Sequence, residues 1–198
     1  MATDDRPAPK ADLASALTVR RIGVDDFADV RYIHTTALRA FASDVLTDEE
    51  IGSLAARIQD PEFITDLLRG EFYGAWLTGR LVATAAFLPV SDGTRTTRIE
   101  ALAVDPLYAR AGIGSHMLAD MERRATEAGA ARLTVRTTAN AVPFYERQGY
   151  GVAAQGMHHL GGILASIPVT FLAKAVGQTS AQADAQGMPP PVIKRARP

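Results

Sequence analysis

The sequence predicts an α/β domain with seven strands and helices placed between them. Three observations predict it. The 198 residues, 47% of them hydrophobic, are enough for one domain with a real core. The stretch Arg98 to Gly129 changes period midway, from strand alternation through a glycine-containing loop to a helical stripe. Six further runs carry strand patterns, with helical patterns placed between them.

Residues 1–16, rich in Ala, Pro and Asp, are expected to be disordered; the domain is expected over 17–176, and a flexible tail over 177–198, which carries PPP and KRARP. Leu17 to Ile22 reads as a short strand. Asp25-Asp26 then caps a helix whose apolar stripe is Phe27, Val30, Ile33, Ala37, Leu38 and Phe41. His34 lies at the edge of that stripe, where two readings are open, a packing histidine and a substrate contact. Thr47-Asp48-Glu49-Glu50 forms a capping box that opens a second helix through Ile58, and Pro61 starts a third ending near Gly70.

Phe72 to Leu77 and Leu81 to Val90 form a hairpin across Thr78-Gly79-Arg80. The second of these, LVATAAFL, is apolar on both sides and therefore central. Ser91-Asp92-Gly93 turns the chain into the strand Arg95 to Val104. Alternation there puts Ile99, Ala101 and Ala103 on one side, and Arg98, Glu100, Leu102 and Val104 on the other. Asp105-Pro106 ends the strand. From Gly112 a helix begins, with Ile113, Met117, Leu118 and Met121 on one face and Gly129 as its stop. Arg132 to Arg136 is a strand, and Asn140 to Gln148 a short helix with Pro143 in its first turn. Tyr150 to Met157 and Ser166 to Lys174 read as the last two strands, joined through Gly161-Gly162.

The turn Ala109-Arg110-Ala111-Gly112-Ile113-Gly114 has the chemistry of an anion seat: glycines admit a ligand close to the backbone, and the first N–H groups of the helix lack partners. The loop alone is equally consistent with an ordinary strand-to-helix connection. A dinucleotide fingerprint is excluded because Met117 stands where a third small residue is needed, and Arg136-Thr137-Thr138 where an acid is needed. A Walker A loop is excluded because Ser115-His116 follows the last glycine. A net charge of −1 offers no bulk attraction for nucleic acid, and the absence of cysteine rules out thiolate nucleophiles and cysteine-based metal sites. No metal is expected. The first residues lack a signal-peptide core and no apolar run has the length of a membrane span, so neither nucleic acid nor membrane is an expected partner and a cytoplasmic location is expected.

Two motifs raise a resemblance. Leu102 to Gly114 reads L-A-V-D-P-x-x-x-x-x-G-I-G, and Asn140 to Tyr150 reads N-A-V-P-F-Y-E-R-Q-G-Y. At this spacing, within this order of elements, the chain resembles the GNAT superfamily of acyl-CoA N-acyltransferases over residues 17–174. The family usually has Arg or Gln, then Gly, where this chain has Ala109 and Arg110. The resemblance implies a three-layer domain with a mixed, mostly antiparallel seven-stranded sheet. A V-shaped cleft is implied between two parallel central strands, Arg98 to Val104 and Arg132 to Arg136.

It also implies acetyl-CoA as co-substrate. The diphosphate would sit on Arg110, Ala111, Gly112, Ile113, Gly114 and Ser115, and the pantetheine arm would lie along Leu102, Ala103 and Val104, with Asn140 bonding it or capping the short helix. Tyr145 matches the family's proton donor to the leaving thiolate, against a plain reading as half of a Phe144-Tyr145 packing pair. Glu100 is the candidate base, and a salt bridge to Arg98 or another Arg is the rival reading. His34 and His158 are candidate contacts to the acceptor, a small-molecule primary amine, and a homodimer is an open expectation. The competing reading from another class is a coenzyme A binding sensor or partner domain without turnover.

Overall fold

Antiparallel ladders account for all but one of the joins between strands. The strands are β1 Thr18–Arg21, β2 Glu71–Leu77, β3 Arg80–Pro89, β4 Thr96–Val104, β5 Arg132–Thr137, β6 Gly151–His159 and β7 Ser166–Ala175. They form one sheet in the order β1-β2-β3-β4-β5-β7-β6, and only β4 and β5 run parallel. This computed structural model describes residues 16–91, 93–159 and 166–177. Of the segment 1–16 expected to be disordered, all but Ala16 lies outside the described residues, as do the Asp92 turn position, the Gly161-Gly162 connection and the tail beyond Gly177.

The helices are α1 Phe27–Phe41, α2 Asp48–Gln59, α3 Pro61–Leu67, α4 Ile113–Glu127 and α5 Val142–Arg147. On one face, α4 and α5 cover the sheet: Ile113, Met117, Leu118, Met121 and Tyr145 join Ala85, Ile99, Leu133 and Leu172 in a common core. Met117, Leu118 and Met121 are at most 1% exposed, and burial of each such side chain stabilises the fold by about 1.5–3 kcal/mol. The opposite face carries α1 and α3 through Val30, Ile33, Ile64 and Leu67, and Ala42 and Leu46 meet Ile167 and Val169 of β7. The result is the expected three-layer arrangement.

Local chemistry sets the element ends. Thr47 Oγ1 accepts from the Glu50 N–H at 3.2 Å while Glu50 Oε2 accepts from the Thr47 N–H at 2.8 Å, so the expected capping box is formed. The start of α1 differs from expectation. A short 3₁₀ turn, Val24–Asp26, precedes it, and the Asp26 carboxylate accepts from the Gly23 N–H and pairs with Arg20 instead of capping α1. Phe41, placed on the apolar stripe by its spacing, is exposed at the end of α1. Among the described residues, no helix is long and apolar enough to cross a membrane.

Candidate active site

The β4 and β5 ladder runs from Thr96 and Arg132 to its last pair, Ile99 and Val135. Beyond that point β4 continues to Val104 without a strand partner on its β5 side, while β5 stays paired to β7 through Thr137. The backbone from Glu100 to Val104 is therefore a bare sheet edge inside the molecule, and an extended ligand can add to it as a strand would.

A bulge sits on this segment. Thr84 pairs with Ala103 and Ala86 with Glu100, so Ala101 and Leu102 together face Ala85. Ala101 takes a left-handed φ of 55°. The bulge reverses the expected alternation: Leu102 and Val104 pack on the α4 face together with Ile99, whereas Ala101 and Ala103 pack on the α1 face. Glu100, which alternation alone would group with Leu102 and Val104, lies on the α1 face. Thr84 donates its single hydroxyl proton to the Ala101 carbonyl at 2.9 Å, so its oxygen accepts from His34 Nε2 at 2.9 Å. His34 also packs edge-on against Phe63, and desolvation lowers its pKa to about 4. Its imidazole thus supports the bulge as a neutral donor.

Where β4 ends, Asp105 is 1% exposed and accepts from the Leu107 N–H at 3.0 Å and from Arg80 Nη2 at 2.9 Å. This fixes the start of the glycine-containing loop. Arg110 adopts φ 63° and Gly112 φ 84°, so Arg110 holds a left-handed conformation without a glycine's freedom. Gly112 precedes α4 with no side-chain cap, leaving the N–H groups of Ile113, Gly114 and Ser115 without intrahelical acceptors at the positive end of the helix dipole. A methyl group on Gly114 would touch Val104 Cγ2 at 3.6 Å and the Phe144 ring at 3.7 Å, so the loop, the end of β4 and α5 converge. Ser115 Oγ accepts from Gln148 Nε2 at 3.2 Å, tying α4 to the end of α5.

Tyr145 is buried on this α4 face, with ring centroids 5.0 Å from Phe144 and 5.7 Å from Tyr150. Burial pushes the phenol well above its ordinary pKa. Its hydroxyl makes no hydrogen bond among the described residues. Behind it, Lys174 Nζ donates to Glu122 Oε2 at 2.7 Å, while the Tyr150 hydroxyl and Glu122 Oε1 are buried without a hydrogen bond among the described residues. Asn140 caps nothing: its side-chain amide donates to the Phe41 carbonyl and accepts from the Thr138 hydroxyl, which joins the end of α1 to the loop after β5.

Glu100 lies where the strands part. Arg98 Nε donates to its Oε2 at 2.8 Å, so the salt bridge considered from the sequence is formed, along β4 itself. Oε1 makes no hydrogen bond among the described residues. Arg136 follows Val135 directly and shares the face of Arg98 and Glu100. Its guanidinium pKa is lowered by desolvation and by the nearby Arg98 charge, against the opposing pull of Glu100. His158 shares this face and is held below its ordinary pKa, by desolvation first and then by the Arg136, His159 and Arg98 charges. A cavity of about 200 Å³ on the same side is lined by Val45, Leu46, Thr138, Gly156 and Val169, among others. The larger hollow, about 580 Å³, lies against Arg20, Trp76 and Gly79 at the far edge of the sheet and touches no residue of the cleft.

The sequence singled out the loop, the bare strand edge, Tyr145 and Glu100; the fold brings the loop, the end of β4 and α5 together on the α4 face and sets Glu100 on the α1 face where the strands part. It missed Thr84, His34 as a support for the bulge, Asp105 and Arg136. Asp105-Pro106 was read only as a strand end, and nothing local marks Thr84 as the partner of a residue seventeen positions away.

The sequence model described as the acetyltransferase (GNAT) family matches residues 33–150. An amino-acid acetyltransferase from Pseudomonas putida is 36% identical over 89 residues, which is 45% of this chain and only 20% of that protein's length. Among solved structures, a GCN5-related N-acetyltransferase from Rhodopseudomonas palustris superposes with a TM-score of 0.71 at 22% identity, over 80% of this chain and 95% of that one. The PaiA N-acetyltransferase from Thermoplasma acidophilum, solved in complex with coenzyme A, gives a TM-score of 0.68 at 15% identity, over 81% of this chain and 99% of the other. With more than half of its length matched by the family's sequence model and the same fold in these neighbours, the chain belongs to the acetyltransferase (GNAT) family.

Proposed function

We propose that residues 17–176 form a transferase domain that moves an acetyl group from acetyl-CoA to the primary amine of a small molecule by direct attack. The observation that carries this reading is the bare β4 edge from Glu100 to Val104 running into an uncapped helix N-terminus. That combination fits an extended amide-bearing arm that ends in a diphosphate. Bound there, acetyl-CoA supplies a thioester carbonyl as the electrophile.

The N–H groups of Gly112 to Ser115 would hold the diphosphate, with the exposed Arg110 adding a cation that has no ion pair among the described residues. Main-chain groups of Leu102, Ala103 and Val104 would bond the arm, and an N–H freed by the bulge near Leu102 would polarise the carbonyl. Glu100 Oε1 takes a proton from the incoming ammonium, directly or through water, while Arg98 fixes the carboxylate through Oε2. Tyr145 stays protonated because it is buried, the state a donor to the departing thiolate requires. Coenzyme A bound in a neighbour of the same fold, and the amino-acid acetyltransferase relative, support the reading. A cytoplasmic location and a homodimer belong to the same proposal.

One observation favours a silent coenzyme A sensor: the Arg98–Glu100 pair is also what a purely structural carboxylate would form. Thiol release from acetyl-CoA against an amine panel separates the two. Transfer predicts amine-dependent release that falls about 10²- to 10⁴-fold in Tyr145→Phe, while coenzyme A affinity changes by less than about threefold. Coenzyme A binding with no release for any amine would leave the sensor reading.

A further inference from the structure

We propose that Arg136 forms an anion subsite beside the Arg98–Glu100 pair, so that the acceptor is an amine that also carries a carboxylate. The inference rests on the transferase reading for the amine, and on the unengaged Arg136 guanidinium for the carboxylate.

The ladder positions place the groups. Arg98 pairs with Thr134 and Ile99 with Val135, so one further step sets Glu100 and Arg136 across the opening with their side chains on one face. Phe171 of β7 is the partner of Arg136 on its other side, and Val169, Ile167 and His158 continue that face toward the 200 Å³ cavity. At the parting of the strands the Arg98 and Arg136 guanidiniums therefore share a face with the Glu100 carboxylate, while Arg132 lies on that face at the far end of the ladder. Arg98 is engaged with that carboxylate, whereas Arg136 makes no hydrogen bond or ion pair among the described residues. Arg136 is exposed at the rim of the opening, so its guanidinium is within reach of an anion entering from solvent.

An amine without a carboxylate entering this opening would leave that guanidinium unengaged. An amine bearing a carboxylate engages it: the planar fork of Arg136 donates to the carboxylate, which leaves the ammonium directed to Glu100 Oε1. His158, held neutral by its surroundings, offers a further donor at the rim. α-Amino acids place the two groups one carbon apart, and longer amino acids span the opening with more reach.

The test uses matched acceptors, each of the twenty α-amino acids and its α-carboxamide, with wild type, Arg136→Gln and Arg136→Lys. Thermal midpoints check that each variant is folded. Wild type is expected to prefer at least one acid over its amide by about tenfold or more in kcat/KM, through KM. Arg136→Gln is expected to reduce that ratio to within about twofold, and Arg136→Lys to keep part of it. Turnover with no preference for any acid, or a preference that survives Arg136→Gln, overturns the subsite and leaves the transfer chemistry intact. If no amine is turned over, calorimetric titration of the same pairs onto the coenzyme A complex decides: acid-selective binding lost in Arg136→Gln supports the subsite while the transferase reading fails, and the absence of acid-selective binding overturns it.

Discussion

His34 can be tested without any ligand. Its folded pKa near 4 lies below the ordinary value of 6.5, so between those values the unfolded chain binds the proton and the folded chain does not. Stability is therefore unaffected above about pH 7, declines as pH falls through 6.5, and stops declining near 4, for a total of on the order of 3 kcal/mol. Urea unfolding at pH 7 and pH 5 should differ by about 2 kcal/mol from this group in wild type and by clearly less in His34→Gln. Equal losses in both proteins would refute the assignment. The carboxylates Asp26 and Asp120 do not interfere, because their folded pKa values are depressed and their contribution disappears only as pH falls below about 4. The sequence left His34 open between packing and substrate contact because helical spacing locates a residue at the edge of a stripe without naming its partner. That partner, Thr84, is fifty residues away on β3. Tyr145 stands out because it sits inside the Asn140 to Tyr150 motif, and Glu100 because it lies two residues before the Leu102 to Gly114 motif with its Arg98 partner only two positions away.

At the scale of elements, the sequence located every strand to within about two residues because apolar alternation and turn chemistry agree. The bulge escaped it. Ala101, Leu102 and Ala103 preserve a plausible alternation, and only the pairing with β3 reveals that Ala101 and Leu102 share one opposite residue. The shift matters chemically because it puts Glu100 on the α1 face while Leu102 and Val104 face α4. The loop before α4 carries a second element-scale consequence. Arg110 holds φ 63° at the position where the family usually has Gly, and this conformation costs a non-glycine residue about 1–2 kcal/mol. Arg110→Gly should therefore keep or raise the thermal midpoint while weakening coenzyme A binding by about three- to tenfold at low salt, a loss that shrinks toward 1 M salt. An affinity loss independent of salt would show that Arg110 acts through loop shape and not through charge.

Over the whole molecule, the sheet keeps two groups of candidate site residues on opposite faces, on either side of one gap. The uncapped α4 and the Tyr145 phenol lie on one face, and Glu100, Arg98 and Arg136 on the other, with the parting of β4 and β5 between them. A net charge of −1 hides this arrangement, since the cations that matter are concentrated by register, and composition cannot report register. The most direct test is a crystal structure of the coenzyme A complex. It should place diphosphate oxygens within about 3.2 Å of N–H groups between Gly112 and Ser115, with the pantetheine amides bonded to the backbone between Glu100 and Val104 and the sulfur directed to the Tyr145 hydroxyl. A diphosphate bound away from the start of α4, or a pantetheine arm lying outside the gap between β4 and β5, would contradict the account.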